Sequence, residues 1–268
     1  MSRIAVAGGT GAVGRLVVER LRAAGHEPVV LSRSTGVDLL SGSANSLVAA
    51  VEGCEAVVDV LGPTGLAAQS AAGSRHFFRT TTTALLAAGR TAGVGHHVAL
   101  SIVGAAHIDA GYYAGKALQE RLLIARRDGN WTLLRTTQFH EFAPRLAALG
   151  ALARPGRRQK HDPRVVLVPE FVSQPVAAAE VADELVSLAV GPPRRAVRDL
   201  AGPRVEVMAD LVRRWLRAQG RDARVVSVPL PGRFGNGLRH GLALPGPWAR
   251  LGRQTFADWL ATQPLPHP

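Results

Sequence analysis

The chain is expected to fold as a doubly wound α/β protein: a parallel sheet with helices on both faces, followed by a smaller, mainly helical C-terminal lobe. Three observations predict it. Short β-branched runs alternate with longer helical patterns through the first half of the 268-residue sequence, and strands separated by helices in that rhythm pair in parallel through right-handed crossovers. A cluster of glycines joins the first apolar run to the first helical pattern. Hydrophobic residues make up 47% and charged residues 19%, the balance of a folded globule with one large core.

The elements follow in order. "RIAVAG" is the first strand and about Gly11 to Ala24 the first helix; "EPVVLS", "EAVVDVLG", "HHVALSIVG" and "WTLLRTTQF" are the next strands, with helical stretches between them. Phe77 and Phe78 open a helix that packs on the sheet, and Cys54 reads as a small packed hydrophobe. His96 and His97 precede a strand and are expected at the surface. After about residue 143 the rhythm changes. The remainder holds a helix, a polar loop, the strand around "VVLVPEF", then "AAAEVADELVSLAV", "VEVMADLVRRWLRAQG", a Gly/Pro-rich segment and "QTFADWLATQ". Residues 1–143 are therefore assigned to the sheet domain and 144–268 to a lobe packed on the sheet's carboxyl edge, the two making one structural domain. Glu180, Asp183 and Glu184 read as the solvated face of a helix.

Composition excludes several classes of function. The net charge of +12 invites a nucleic-acid reading, but arginines are spread along the whole length, lysines occur only at Lys116 and Lys160, and no basic run is interleaved with aromatics. No nucleic-acid partner is expected. No window of about 18 apolar residues and no export pattern occurs, and a single cysteine forms no internal disulfide. The reading is a cytoplasmic protein without a membrane partner, monomeric or a homodimer. His161 and Asp162 lack further ligands at metal spacing, so no metal site is expected.

The glycines carry the first functional signal. In "GGTGAVG", Gly8 or Gly9, then Gly11 and Gly14, permit a tight turn, a close approach of backbone to a pyrophosphate and close packing of helix on strand. The helix that begins there offers free N–H groups and its positive dipole end to phosphate. Placed between a strand and a helix, the pattern predicts a dinucleotide site made by Gly8, Thr10, Gly11, Ala12, Val13 and Gly14. The second strand ends in Ser32 and Arg33, with no carboxylate before Asp38. An arginine there accommodates a ribose 2′-phosphate, so NADP(H) is the expected cofactor.

A second constellation lies in "LSIVGAAHIDAGYYAGKALQE". Ser101 closes a central strand, and Tyr112 precedes Lys116 by one helical turn, so phenol and ammonium share a face while Tyr113 points away. A nearby ammonium disfavours the protonated phenol and turns it into a usable acid or base. Ser101 could hold a carbonyl oxygen within its reach. His140, in "QFHEF" past a strand end, is a candidate for the substrate pocket or a hydrogen-bonded loop histidine.

Through "VAGGTGAVG", Arg33, "VDLL", "VVDVLG", "LSIVGA", "YYAGK" and "LLRTTQFHEF", with "TFADWL" in the tail, the chain resembles the atypical short-chain dehydrogenases/reductases, in the NmrA-like, NAD(P)H-binding branch. The resemblance implies a Rossmann fold with NADP over the strand ends. Asp38 and Leu39 would border the adenine, Leu61 and Gly62 the ribose, Lys116 would touch the nicotinamide ribose, and Thr136, Gln138 and Phe139 would flank the nicotinamide. Gln138 would also line the substrate site with Ser101 and His140. Relatives with a long proton relay carry an asparagine where this chain has threonines in "FFRTTTTALLAAGRTAG". NmrA-like regulators that catalyse nothing usually lack the tyrosine, which is present here.

The leading expectation is therefore NADPH-dependent reduction of a small apolar ketone, enone or quinone by Ser101, Tyr112 and Lys116, with Leu242, Leu244, Pro245, Pro247 and Trp248 as an apolar wall. The alternatives are a non-redox isomerase, epimerase or cyclase on the same scaffold, and an NADPH-sensing regulator.

Overall fold

A computed structural model of the chain describes residues 1–65, 70–152 and 165–264. Its central sheet has seven strands: β1 (Arg3–Ala7), β2 (Glu27–Leu31), β3 (Ala56–Asp59), β4 (His96–Ile102), β5 (Trp131–Thr136), β8 (Ala196–Ala201) and β11 (Arg250–Leu251), in the order β11-β8-β5-β4-β3-β1-β2. The expected doubly wound architecture is present. β1 pairs in parallel with both β2 and β3, β3 with β4, and β4 with β5. β3 is buried along its whole length and β4 along all but its last residue, as central parallel strands covered on both faces must be.

The crossovers are α1 (Ala12–Ala23), α2 (Ala44–Val51), α3 (Ala71–Thr91) and α5 (Gly111–Ile124), with the single turn α4 (Ala105–Ile108) ahead of α5. Strand alternation decides which side chains meet them. Ala5, Ala7 and Val57 share a core with Leu47 and Val51 of α2 and Leu85 and Ala88 of α3. Ala99, Trp131 and Leu133 share one with Leu123 of α5. Asp59, Ser101 and Arg135 follow these residues at the same parity and so stand on the same side of the sheet. α3 and α5 lie against each other closely because a Cβ on Gly115 would come within 2.1 Å of Ser74 Oγ. Cys54 is buried in the first core, as expected.

The histidine expectation is overturned. His96 and His97 are each 3% exposed, because β4 starts at His96 and runs through the middle of the sheet. His96 is satisfied by Thr132 Oγ1 at 2.8 Å and the Gly191 carbonyl at 3.2 Å, while burial pushes His97 down to about 3. Glu184 is likewise buried rather than solvated, on α7 (Ala178–Val190), whereas Asp183 on the same helix is exposed and paired with Arg20 at 2.7 Å.

The chain divides into two compact units, residues 1–136 with 178–199, and residues 137–177 with 200–268. α7 belongs to the first, where it packs on α1. The second contains α6 (Phe142–Leu152), β6 (Val165–Pro169), β7 (Val172–Ser173), β9 (Glu206–Val207), α8 (Met208–Ala218), β10 (Arg224–Val228), α9 (Gly232–Arg239) and α10 (Phe256–Ala261). β6 pairs in parallel with β10, and β7 antiparallel with β9. Met208, Leu211, Val212 and Leu216 form the buried stripe of α8.

Candidate functional site: a glycine turn beside a buried lysine

The site grows from the carboxyl ends of β1 and β3, where the strand order reverses direction and doubly wound sheets bind their ligands. After β1 the chain turns at Gly8, whose φ of +86° is open to glycine at little cost. Its N–H donates to the Leu31 carbonyl at 3.1 Å, and its own carbonyl accepts from Gly11 N at 2.9 Å. A Cβ on Gly14 would stand 2.1 Å from that carbonyl, so only glycine lets α1 start this close to the turn. α1 is capped by Gly11 with no side-chain hydrogen bond and has no acid in its first turn. Thr10, Gly11 and Ala12 are exposed there, while Val13 and Gly14 are buried. A Cβ on Gly8 would lie 3.2 Å from the Val60 carbonyl, which brings the turn against the segment that follows β3.

That segment, Val60 to Gly62, is also where the tyrosine and lysine arrive. The phenol oxygen of Tyr112 lies 3.4 Å from the position a Cβ on Gly62 would take. Tyr112 is half-buried in the first turn of α5, edge-on to Phe78 with ring centres 5.8 Å apart. Its carbonyl accepts from Ser74 Oγ at 2.9 Å, which ties that turn to α3. Lys116, one turn on, is 3% exposed. Its Nζ donates to the Leu100 carbonyl at 2.6 Å, Gln119 Oε1 at 3.0 Å and the Leu61 carbonyl at 3.4 Å, and lies 4.4 Å from the centre of the Phe78 ring. Burial pushes Lys116 down to about 8, against the opposing attraction of Asp59 and Glu120.

Ser101 is directed elsewhere. Its hydroxyl donates to Glu120 Oε1 at 2.6 Å, and Glu120, 2% exposed, is held by Arg135 through Nε at 3.0 Å and Nη2 at 2.5 Å. Ser101 and Arg135 are register partners across β4 and β5, so their side chains stand together under α5. The structure thus brings Tyr112 and Lys116 together with the glycine turn and ties Ser101 to a buried carboxylate. Asp59, Gln119, Glu120 and Arg135 escaped the sequence reading. The available signal was parity with the apolar positions of their strands, and polar residues inside a helix buried from Tyr113 to Glu120.

Arg33 is exposed in a short 3₁₀ turn (Arg33–Thr35) after β2, with half-buried Ser32 as its cap. Asp38 is used locally: it accepts from Leu40 N at 2.9 Å and Ser41 Oγ at 2.6 Å, which lowers its pKa. Leu39 and Leu61 pack half-buried against the β1–β3 core, Gly62 is exposed, and Thr136 is buried at the end of β5. Gln138, Phe139 and His140 belong to the second unit. Gln138 and Phe139 are half-buried, and His140, 1% exposed, lies 3.1 Å through Nε2 from the Gln254 carbonyl, edge-on to Phe256 and tilted against Trp259. Within that unit Trp248 is 96% exposed. Among the described residues no helix is long and apolar enough to cross a membrane, and no three His, Cys, Asp or Glu side chains form a metal-binding group. His161 and Asp162 lie outside the described residues.

The family model for NAD(P)H-binding proteins matches residues 8–188, from the glycine turn to α7. The chain belongs to the NAD(P)H-binding family. Its cofactor class is accordingly a nicotinamide dinucleotide. Among curated proteins none matches the sequence. Solved structures share the fold: a short-chain dehydrogenase/reductase superfamily protein from Agrobacterium tumefaciens with bound NAD (19% identity, 97% of this chain and 95% of that one, TM-score 0.68); MoeE5 in complex with UDP-glucose and NAD (20%, 97% and 97%, 0.67); and an NADPH-dependent quinone oxidoreductase, QOR2, from Escherichia coli (16%, 96% and 98%, 0.64). The residues present fit the family's cofactor, because the Gly8–Gly14 cradle has no room for a Cβ at Gly14 and the exposed start of α1 keeps its N–H groups clear of side-chain caps.

Proposed function

We propose that this NAD(P)H-binding protein is an NADP(H)-dependent oxidoreductase acting on a small apolar ketone, enone or quinone, with Tyr112 as its acid–base group. The observation that carries the reading is the convergence on residues 60–62: Gly8 backs onto Val60, Lys116 donates to the Leu61 carbonyl, and the Tyr112 phenol sits beside Gly62. A dinucleotide turn and a tyrosine–lysine pair have no structural need of each other, so their meeting supports a shared ligand.

The nicotinamide, when bound, supplies or accepts a hydride. The protein does the rest. The start of α1 and the glycine turn would hold the pyrophosphate by N–H donation, and Arg33 would pair with the 2′-phosphate. Lys116, charged at neutral pH, disfavours protonation of the Tyr112 phenol. The Tyr112 hydroxyl gives its proton to the substrate oxygen as the carbon is reduced and recovers it from solvent for the next turnover; in the reverse direction it takes the proton from the alcohol. Ser101 is assigned here to the Glu120–Arg135 group, which fastens α5 to the sheet. The apolar substrate class is carried over from the sequence reading of Leu242, Leu244, Pro245, Pro247 and Trp248.

The test is NADPH oxidation at 340 nm across a panel of ketones, enones and quinones, for the wild-type protein and Tyr112→Phe. Turnover should fall by about 10²- to 10⁴-fold in the variant, with NADPH affinity kept within about threefold. A fully active Tyr112→Phe protein overturns the acid assignment. Product formed without net cofactor turnover would instead favour an isomerase, epimerase or cyclase, and tight binding with no turnover on any substrate a regulator.

A further inference from the structure

Lys116 presents a problem of charge. It is 3% exposed, and its three donors all go to neutral oxygens, those of Leu100, Leu61 and Gln119. A buried ammonium needs a countercharge. Glu120, on the same helix, is engaged by Ser101 and by Arg135 of β5. α3 offers the ring of Phe78, and β4 a backbone carbonyl. Among the described residues the remaining charge acting on Lys116 is Asp59, 0% exposed at the end of β3.

Asp59 reaches the lysine by two bridges. Its Oδ2 accepts from Gln119 Nε2 at 2.9 Å while Gln119 Oε1 accepts from Lys116. Its Oδ1 accepts from Leu61 N at 3.1 Å while the Leu61 carbonyl accepts from Lys116. Both carboxylate oxygens are acceptors, as the ionised form requires. The first bridge also settles a choice. A glutamine amide can face either way, and an ionised Asp59 draws the NH₂ end to itself, leaving the oxygen for the ammonium. An uncharged amide at position 59 lets Gln119 turn its NH₂ toward Lys116 instead. Burial and charge agree with this: burial raises the Asp59 carboxyl and Lys116 lowers it, while Asp59 stands first among the groups that hold Lys116 up against burial.

We propose that Asp59 and Gln119 are positioning residues that keep Lys116 charged and turned onto the Leu61 carbonyl, so that an amide-bridged ion pair sets the proton affinity of the lysine. The inference rests on the reading of Tyr112 and Lys116 as the acid–base pair only for its consequence in catalysis. The ion pair itself is measured without turnover.

The chain has two lysines, Lys116 and Lys160, so full-length, cofactor-free protein labelled with ¹³Cε-lysine gives two resonances, which a Lys160→Arg variant assigns. Lys116 is expected to titrate near pH 8, against about 10.4 for an ordinary lysine. Asp59→Asn should lower the Lys116 midpoint by about one unit or more, a tenfold loss of proton affinity. Gln119→Leu should move it in the same direction, and Gln119→Glu, which places a carboxylate at the ammonium, should raise it. Far-UV circular dichroism identifies which variants fold, and each folded variant is a test by itself. A midpoint within about 0.3 units of wild type in any folded variant overturns the proposal, and so does a folded wild-type protein in which both lysines titrate near 10.4. Should the midpoints move as stated while no carbonyl compound is turned over, the ion pair stands and the proposed reaction falls. Turnover with unmoved midpoints overturns the ion pair and leaves the reaction standing.

Discussion

Arg33 and Asp38 carry opposite charges on one loop after β2, and their environments differ. Asp38 spends its oxygens on Leu40 N and Ser41 Oγ. A carboxylate bound to its own loop is a poor acceptor for a ribose hydroxyl. Arg33 is exposed, and its guanidinium makes no hydrogen bond or ion pair among the described residues. A phosphate on the 2′-oxygen would therefore meet an available fork of donors. Arg33→Ala should weaken NADPH binding about tenfold or more, since a charge-assisted hydrogen bond contributes about 1.5–3 kcal/mol, and should leave NADH binding within about twofold. Fluorescence titration of both nucleotides measures it, and equal losses for the two would show that Arg33 does not read the phosphate. The place of Arg33 on the loop after β2 was legible in the sequence because it depends on chain order alone. Gly8, Gly11 and Gly14 were legible for the same reason.

Ser101 was harder to read, because its meaning depends on which face of β4 it occupies. Strand alternation sets it beside Ala99 on the side covered by α5, and there Glu120 and Arg135 are waiting. Glu120 could not be inferred from spacing to Tyr112 and Lys116 alone; it required knowing that α5 is buried nearly all round. Arg135 required knowing that β4 and β5 are neighbours in register. The same distinction explains β8, whose "AVRDLA" alternates too weakly to be picked out, yet which joins β5 in the sheet. Because the hydroxyl helps fasten α5 to β4, Ser101→Ala should destabilise the protein by about 1.5–3 kcal/mol, the contribution of a buried hydrogen bond to a charged group, while turnover per folded molecule changes by less than about tenfold. Chemical denaturation and the 340 nm assay on the same preparation decide it. Loss of turnover by three orders of magnitude at unchanged stability would return the hydroxyl to the substrate.

Across the whole molecule the fold was the most readable feature, since five parallel strands announce themselves by rhythm, whereas the burial of His96 and His97 depended on where β4 begins. That burial has a consequence for pH. The His97 pKa falls from an ordinary 6.5 to about 3 through desolvation, with Arg126 and His96 adding repulsion, and its Nε2 has no hydrogen-bond partner among the described residues. Between pH 6.5 and 3 the unfolded chain binds a proton at this position that the folded chain refuses. Stability therefore rises with pH through that window: the neutral histidine costs nothing extra above about pH 6.5, and the penalty grows as pH falls, to roughly 5 kcal/mol at most. Lys116 acts with the same sign in a different window, between about pH 8 and 10.5, so it adds no slope in acid. The net charge of +12 grows as the carboxylates and the remaining histidines titrate, which adds self-repulsion common to every variant. Replacing His97 with leucine removes the proton site and the unpaired nitrogen while keeping most of the volume. The difference in unfolding free energy between His97→Leu and wild type should accordingly be small at pH 7.5 and shift in favour of the variant by more than about 2 kcal/mol at pH 4.5. Urea titrations at the two pH values measure it, and parallel losses in the two proteins would mean that His97 takes its proton inside the folded sheet.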